Sequence, residues 1–211
     1  MEKFEKLVAE LKKVSDLKIA FKDESRLMKV LSFLLFFNKK FMENYTTTLG
    51  STVYFPSKEW LSANTDSARR TLCHEMMHIL DSKKFGGLAF SFSYISPQIL
   101  SLLSLFSISG NLWFLLSLLF LAPLPAPLRA MWEIRAYAVT DAVLFEEEKR
   151  FSNADWLVDQ FVSAGYYFMW PFKNHVLRTI EKNREMIKSG EASKVNSHFD
   201  IIMTALRSSK E

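Results

Sequence analysis

The chain has 211 residues, a net charge of +4 and 49% hydrophobic residues, among them 19 phenylalanines. That suits one globular domain with an ample core and excludes a disordered chain. The basic excess is small and scattered, so no nucleic-acid partner is expected, while an anionic membrane surface suits the balance. The single cysteine, Cys73, excludes an internal disulfide and fits a reducing, cytoplasmic setting.

Phe4, Leu7, Val8 and Leu11 recur at helical spacing, which predicts an amphipathic helix over residues 2–14. This N-terminal stretch alternates acids and bases and lacks the apolar core of a secretory signal. Leu17 to Phe21 reads as a short strand. Asp23 or Ser25 is placed to cap a second, well-buried helix reaching Met42. The apolar run Leu31 to Phe37 inside it is too short to span a bilayer. Tyr45 to Leu49 and Thr52 to Phe55 read as two strands around Gly50. Pro56 and Ser57 open a short polar connection. Asp66 is the expected N-cap of the next helix, which runs to Ser82.

Residues 85–128 contain no Asp, Glu, Lys, Arg or His. Arg129 ends this stretch, and helical spacing resumes from Met131 to Lys149. Asp155 to Met169, His175 to Lys188 and Glu191 to Leu206 read as three further helices, punctuated by Pro171 and Gly190.

The helix over 66–82 carries His74-Glu75-Met76-Met77-His78. Two histidines four residues apart lie on one helical face, one turn apart, so their ring nitrogens can converge on one metal ion. Glu75 between them can take a proton from a water that the metal acidifies. H-E-x-x-H on a helix is the metallopeptidase signature for this reason. The bland alternative is a helix with two incidental histidines. Asp81, a turn beyond His78, is placed either to orient an imidazole or to pair in solvent with Lys84 or Arg70. Cys73 points elsewhere and reads as a small buried residue.

A catalytic zinc usually has three protein ligands and one open position. Glu133, Asp141, His175 and His198 are the candidates for the third. Glu133 is preferred because it opens a helix whose face also carries Ala136, Tyr137 and Thr140. The small Ala136 would let that helix approach the histidine helix closely. The alternative for Glu133 is a surface acid near a helix N-terminus. Tyr137, Tyr166, Tyr167, His175 and Arg135 are residue types able to stabilise an oxyanion, with no choice among them.

On these residues the chain resembles the gluzincin peptidases, and more closely the membrane proteases HtpX and the CAAX-prenyl endopeptidase. In that family the third ligand is a Glu in an E-x-x-A-D pattern, separated from H-E-x-x-H by transmembrane segments. The matching stretch here is Glu133-Ile134-Arg135-Ala136-Tyr137, with Tyr137 where the family has Asp; Asp141, one turn on, is a substitute for it. The strand Thr52 to Phe55 resembles the edge strand that precedes the motif helix in zincins, which pairs with an extended substrate. The likeness covers residues 45–145.

The uncharged stretch suggests two segments within 88–128, joined near Ser109-Gly110-Asn111 and flanked by Lys83, Lys84 and Arg129. Pro97 interrupts the first segment, and Pro123, Pro125 and Pro127 end the second after about a dozen residues, short of the roughly 20 that a helical span needs. A spanning hairpin, a re-entrant or interfacial one, and one buried in protein all remain open. If it enters a membrane, the flanking charges put the histidine site on the cytoplasmic side.

The expected fold is mainly α with a small two- or three-stranded β-sheet, a single zincin-like domain over 1–211 with a hydrophobic helical hairpin inserted at 85–128. The expected function is zinc-dependent hydrolysis of a peptide or protein substrate, with His74, His78 and Glu133 as ligands to Zn2+ and Glu75 as general base. The rival is a non-enzymatic membrane or assembly protein that uses the hairpin for interaction and keeps a vestigial or structural metal site.

Overall fold

The computed structural model describes residues 1–34, 40–163 and 168–210. The chain is mainly α-helical with one three-stranded sheet. Helix α1 (Glu2–Val14) buries Phe4, Leu7 and Leu11, the predicted stripe. Glu2 and Glu5 lie in its first turn and Lys12 and Lys13 in its last, each pair at the favourable end of the helix dipole. Strand β1 (Lys18–Phe21) follows, then α2 (Arg26–Leu34). The predicted continuation of α2 to Met42 is corrected in part: residues 40–44 form a turn, and 35–39 lie outside the described residues. Nor is α2 well buried as expected, since Leu27, Val30 and Phe33 are exposed and Met28 alone of 26–33 is buried.

Strands β2 (Thr47–Leu49) and β3 (Thr52–Phe55) are antiparallel and joined by Gly50-Ser51, where Gly50 has φ of 59°. Glycine suits that left-handed turn because it has no Cβ to clash. β1 pairs with β3 in parallel, Lys18 opposite Thr52 and Phe21 opposite Phe55. The order is therefore β1-β3-β2, and Thr52–Phe55 is the central strand rather than the expected edge. The short β2 forms the edge instead. Val53 and Phe55 are buried while Thr52 and Tyr54 are only half-buried, the period of two that a strand imposes.

A short helix absent from the prediction, α3 (Lys58–Ala63), is capped by Ser57, whose hydroxyl accepts from Trp60 N at 3.1 Å. Helix α4 (Thr65–Phe85) carries the histidines. Its N-cap is Asn64, without a side-chain cap bond, so Asp66 sits in the first turn and does not cap. It ends at Gly86, with φ of 82°. Its main partner is α6 (Pro127–Glu148), which begins a turn earlier than expected because Pro127 fits the first helical position. Ala68, Leu72, Cys73 and Met76 of α4 form one core with Ala136, Val139 and Val143 of α6.

Helix α7 (Ala154–Val162) stops short of the expected Met169, and 164–167 are outside the described residues. Helix α8 (Lys173–Lys188) packs on α6 and α7 around a second cluster that includes Val158, Phe161, Val176 and Ile180. The stretch predicted as one helix over 191–206 is broken. A 3-10 turn at Ala192–Lys194 precedes α9 (Phe199–Ser208), which packs against α1 and α4.

Within the uncharged stretch, helix α5 (Gly87–Ile95) docks on α4 and α6, while the two arms that follow it add no residue to either core cluster. Helix α5 leads through Pro97 into these arms, two paired 3-10 helices, Gln98–Ser109 and Leu112–Leu121. They turn at Gly110-Asn111, as anticipated, but the arms are 3-10 and not α. Among the described residues no single helix is long and apolar enough to cross a membrane; α5 and the first arm together have the length and composition, bent by 92°.

Candidate metal centre

α4 and α6 bring His74, His78 and Glu133 together. One potential ligand atom from each lies within 4.8 Å of the others. His74 Nε2 is 3.4 Å from Glu133 Oε2, and His78 Nε2 is 3.6 Å from Glu133 Oε1. Four-coordinate zinc with bonds of about 2.1 Å spaces its ligand atoms about 3.4 Å apart, so the donor set and spacing fit such an ion. Glu133 is only 3% exposed. The alternative of a surface acid is therefore excluded by its burial.

The helical spacing explains the convergence. His74 and His78 are one turn apart, with ring centroids at 5.0 Å. Glu133 arrives on α6 because Ala136, fully buried a turn further on, adds little bulk between the helices. Thr140 Oγ1 is 3.4 Å from the Ala136 carbonyl, to which it donates, and 3.3 Å from His74 Nδ1. The tautomer with the proton on Nδ1 can donate to this hydroxyl, and that tautomer is the one that turns the Nε2 lone pair to the site. His78 Nδ1 is buried without a hydrogen-bond partner among the described residues.

The electrostatics favour a cation here. Burial opposes ionisation of Glu133, but His78, His74 and the Tyr94 hydroxyl outweigh it and bring the carboxyl down to about 2. Burial holds the His78 pKa below the ordinary imidazole value. Burial also works against a charged His74, yet its hydrogen bond to Glu133 and that residue's charge raise its pKa. A buried carboxylate between two imidazoles is a pattern that metal ions satisfy.

Glu75 points toward β2, where Thr48 Oγ1 donates to its Oε2 at 2.8 Å. Tyr94 of α5 donates to Glu133 Oε1, and its ring meets the His78 ring edge-on at 5.7 Å. Neither Thr48 nor Tyr94 was expected at the site. Tyr94 did carry a signal, being the one tyrosine in the uncharged stretch.

The other candidates lie elsewhere. Asp141 accepts from Arg184 Nε at 2.6 Å and Ser152 N at 2.9 Å, which ties α6 to α8, so it neither ligates nor replaces the family aspartate at the site. His175 is exposed on α8 beside Trp170. His198 lies 3.7 Å from Asp81, at the start of α9. Asp81 matches neither expectation: it is fully buried and bound to Arg135 at 2.7 Å. Arg135 is thereby committed away from an oxyanion role, and its guanidinium also lies over Trp132. Tyr137 packs edge-on to His74 at 4.7 Å, while Tyr166 and Tyr167 are outside the described residues. Cys73 is buried as expected, and burial pushes its thiol up to about 12.

Comparison with protein-family models, curated proteins and solved structures finds no match. The functional argument therefore rests on the site itself.

Proposed function

We propose that this chain is a zinc-dependent metallopeptidase of gluzincin type, acting on peptide or protein substrates at the cytoplasmic face of a membrane. The observation that carries the reading is the convergence of His74, His78 and Glu133 beside Glu75, which is held by Thr48. Two imidazoles and a carboxylate are a donor set that suits zinc. When bound, zinc would supply the Lewis acidity that makes hydroxide available near neutral pH and polarises a carbonyl.

The chain's own residues would do the rest. Glu75 takes the proton of the attacking water and passes it to the leaving amine. Thr48 occupies Oε2, which leaves Oε1 as the oxygen free to move that proton. Because Thr48 sits on the edge strand β2, an extended substrate added to that edge would run past Glu75. The exposed apolar hairpin, flanked by Lys83, Lys84 and Arg129, would supply the membrane contact.

Glu75→Gln should retain zinc and lose peptidase activity by roughly 10²–10⁴-fold, the usual worth of a general base. The measurement is zinc content beside turnover of a casein or peptide substrate, with His74→Ala and Glu133→Ala as metal-deficient controls. Activity retained in Glu75→Gln would refute the mechanism. A well-folded wild type that takes up no zinc would refute the metal centre. That second result would favour the non-enzymatic assembly protein, for which the exposure of Leu105, Ile108, Trp113 and Leu119 is the supporting observation.

A further inference from the structure

Helix α5 has no buried residue of its own, so core packing does not explain where it sits. Its described ring and side-chain contacts with the rest of the domain come from Phe90, Ser93 and Tyr94, which share one helical face. Phe90 meets the rings of His78 at 6.2 Å and Trp132 at 5.2 Å. Ser93 Oγ accepts from Trp132 Nε1 at 2.9 Å. Tyr94 bonds to Glu133, packs on His78 and lies under Arg129, whose guanidinium carbon is 5.2 Å from the phenol ring. The helix thus docks through the metal centre and the α6 residues around it.

Of these contacts only the Tyr94 hydroxyl reaches a ligand oxygen. Glu133 can reorient its carboxylate about three side-chain torsions, and the imidazoles face its two oxygens, His74 at Oε2 and His78 at Oε1. The phenol adds a donated hydrogen bond at Oε1, the oxygen that His78 faces. We propose that Tyr94 is a positioning residue for Glu133, so that the apolar hairpin contributes to assembly of the metal centre to which it is attached. The inference rests on the metal-binding reading above. Partners that orient a ligand in this way are commonly worth 10–100-fold in metal affinity.

The test is metal binding and does not need a substrate. Zinc affinity would be measured by competition with a chromophoric chelator for wild type, Tyr94→Phe, Tyr94→Leu and Ser93→Ala, with circular dichroism as the check on folding. The visible absorption of each protein loaded with cobalt(II) reports the ligand geometry. The expected result is at least a 10-fold loss of zinc affinity and an altered cobalt spectrum in Tyr94→Phe, with Ser93→Ala close to wild type. If Tyr94→Phe does not fold, Tyr94→Leu carries the same comparison. Wild-type affinity and an unchanged cobalt spectrum in the folded variant would overturn the inference and leave the metal centre standing. An equal loss in Ser93→Ala would overturn it too, by assigning the effect to docking of α5 in general. Absence of zinc from the wild type would instead remove the metal centre itself.

Discussion

Lys22 follows β1 with its side chain fully buried. Its ammonium donates to the Phe41 carbonyl at 2.7 Å and lies 3.8 Å from the Phe41 ring centroid. Burial pushes its pKa down from 10.5 to about 8, against the opposing pull of Glu75. Because the folded value lies below the unfolded one, the unfolded chain binds more protons between about pH 8 and 10.5. Stability from this residue therefore rises with pH across that window and is flat below it. Relative to Lys22→Met, the wild type should gain up to about 3 kcal/mol of unfolding free energy between pH 7 and 10.5. Urea denaturation of both proteins at the two pH values checks this, and parallel changes would refute it. Nothing local in the sequence marks Lys22 as buried, because its partner is 19 residues away. The same limit hid Thr48 and Tyr94, whose bonds to the site cross 27 and 39 residues. His74, Glu75 and His78 were legible because one helical turn places them together, whatever the rest of the chain does.

Helices α4 and α6 meet through small residues, and Ala136 is where size matters most. It is fully buried, a turn beyond Glu133 and in one core with Ala68, Leu72 and Met76. Leucine there would overfill the contact and push α6 from α4, at a cost of about 1–3 kcal/mol. The same displacement would carry Glu133 away from the histidines. Ala136→Leu should therefore melt lower and bind zinc more weakly, by more than Asp141→Asn, which disturbs the α6–α8 tie and not the α4–α6 contact. Thermal unfolding and zinc titration of both variants decide it; undiminished zinc binding in Ala136→Leu would show that the approach of the two helices is not what sets the site. Glu133 is readable beside the histidines because periodicity marks its helix and the small Ala136 marks a close approach. Elements whose limits depend on remote contacts were not readable. The break between 194 and 199 includes Asn196, which is buried and whose Oδ1 accepts from His198 N at 2.9 Å. α3 is too short to show a period. The 3-10 arms lie in a stretch so uniformly apolar that no periodicity distinguishes one helix type from another.

Across the whole molecule the polar domain and the apolar hairpin pose opposite solvation problems. Ile108, Trp113 and Leu119 are 88%, 78% and 70% exposed, on arms without a single charge. Burying such side chains stabilises by about 1.5–3 kcal/mol each, so several together give a strong drive toward an apolar surface. The arms also limit how such a surface is met. At about 2.0 Å per residue a 3-10 helix of 12 residues reaches about 24 Å, less than the roughly 30 Å hydrocarbon core. That length favours the interfacial or re-entrant arrangement over a full span. The proposed membrane contact predicts that the protein co-sediments with phosphatidylcholine–phosphatidylserine vesicles and that its tryptophan emission shifts to the blue. Trp113→Phe should remove most of that shift, since Trp113 is the one tryptophan in the arms and Trp60, Trp132, Trp156 and Trp170 belong to other segments of the chain. Binding should weaken in vesicles without phosphatidylserine, because Lys83, Lys84 and Arg129 lie at the base of the hairpin and each basic group near an anionic surface is worth about 1 kcal/mol. Replacing residues 98–121 by a short polar linker should abolish sedimentation and leave zinc binding, since α5 and Tyr94 are retained. A wild type that ignores vesicles but forms discrete oligomers by light scattering, lost in the same deletion, would assign the hairpin to a second copy of the chain and refute the membrane contact.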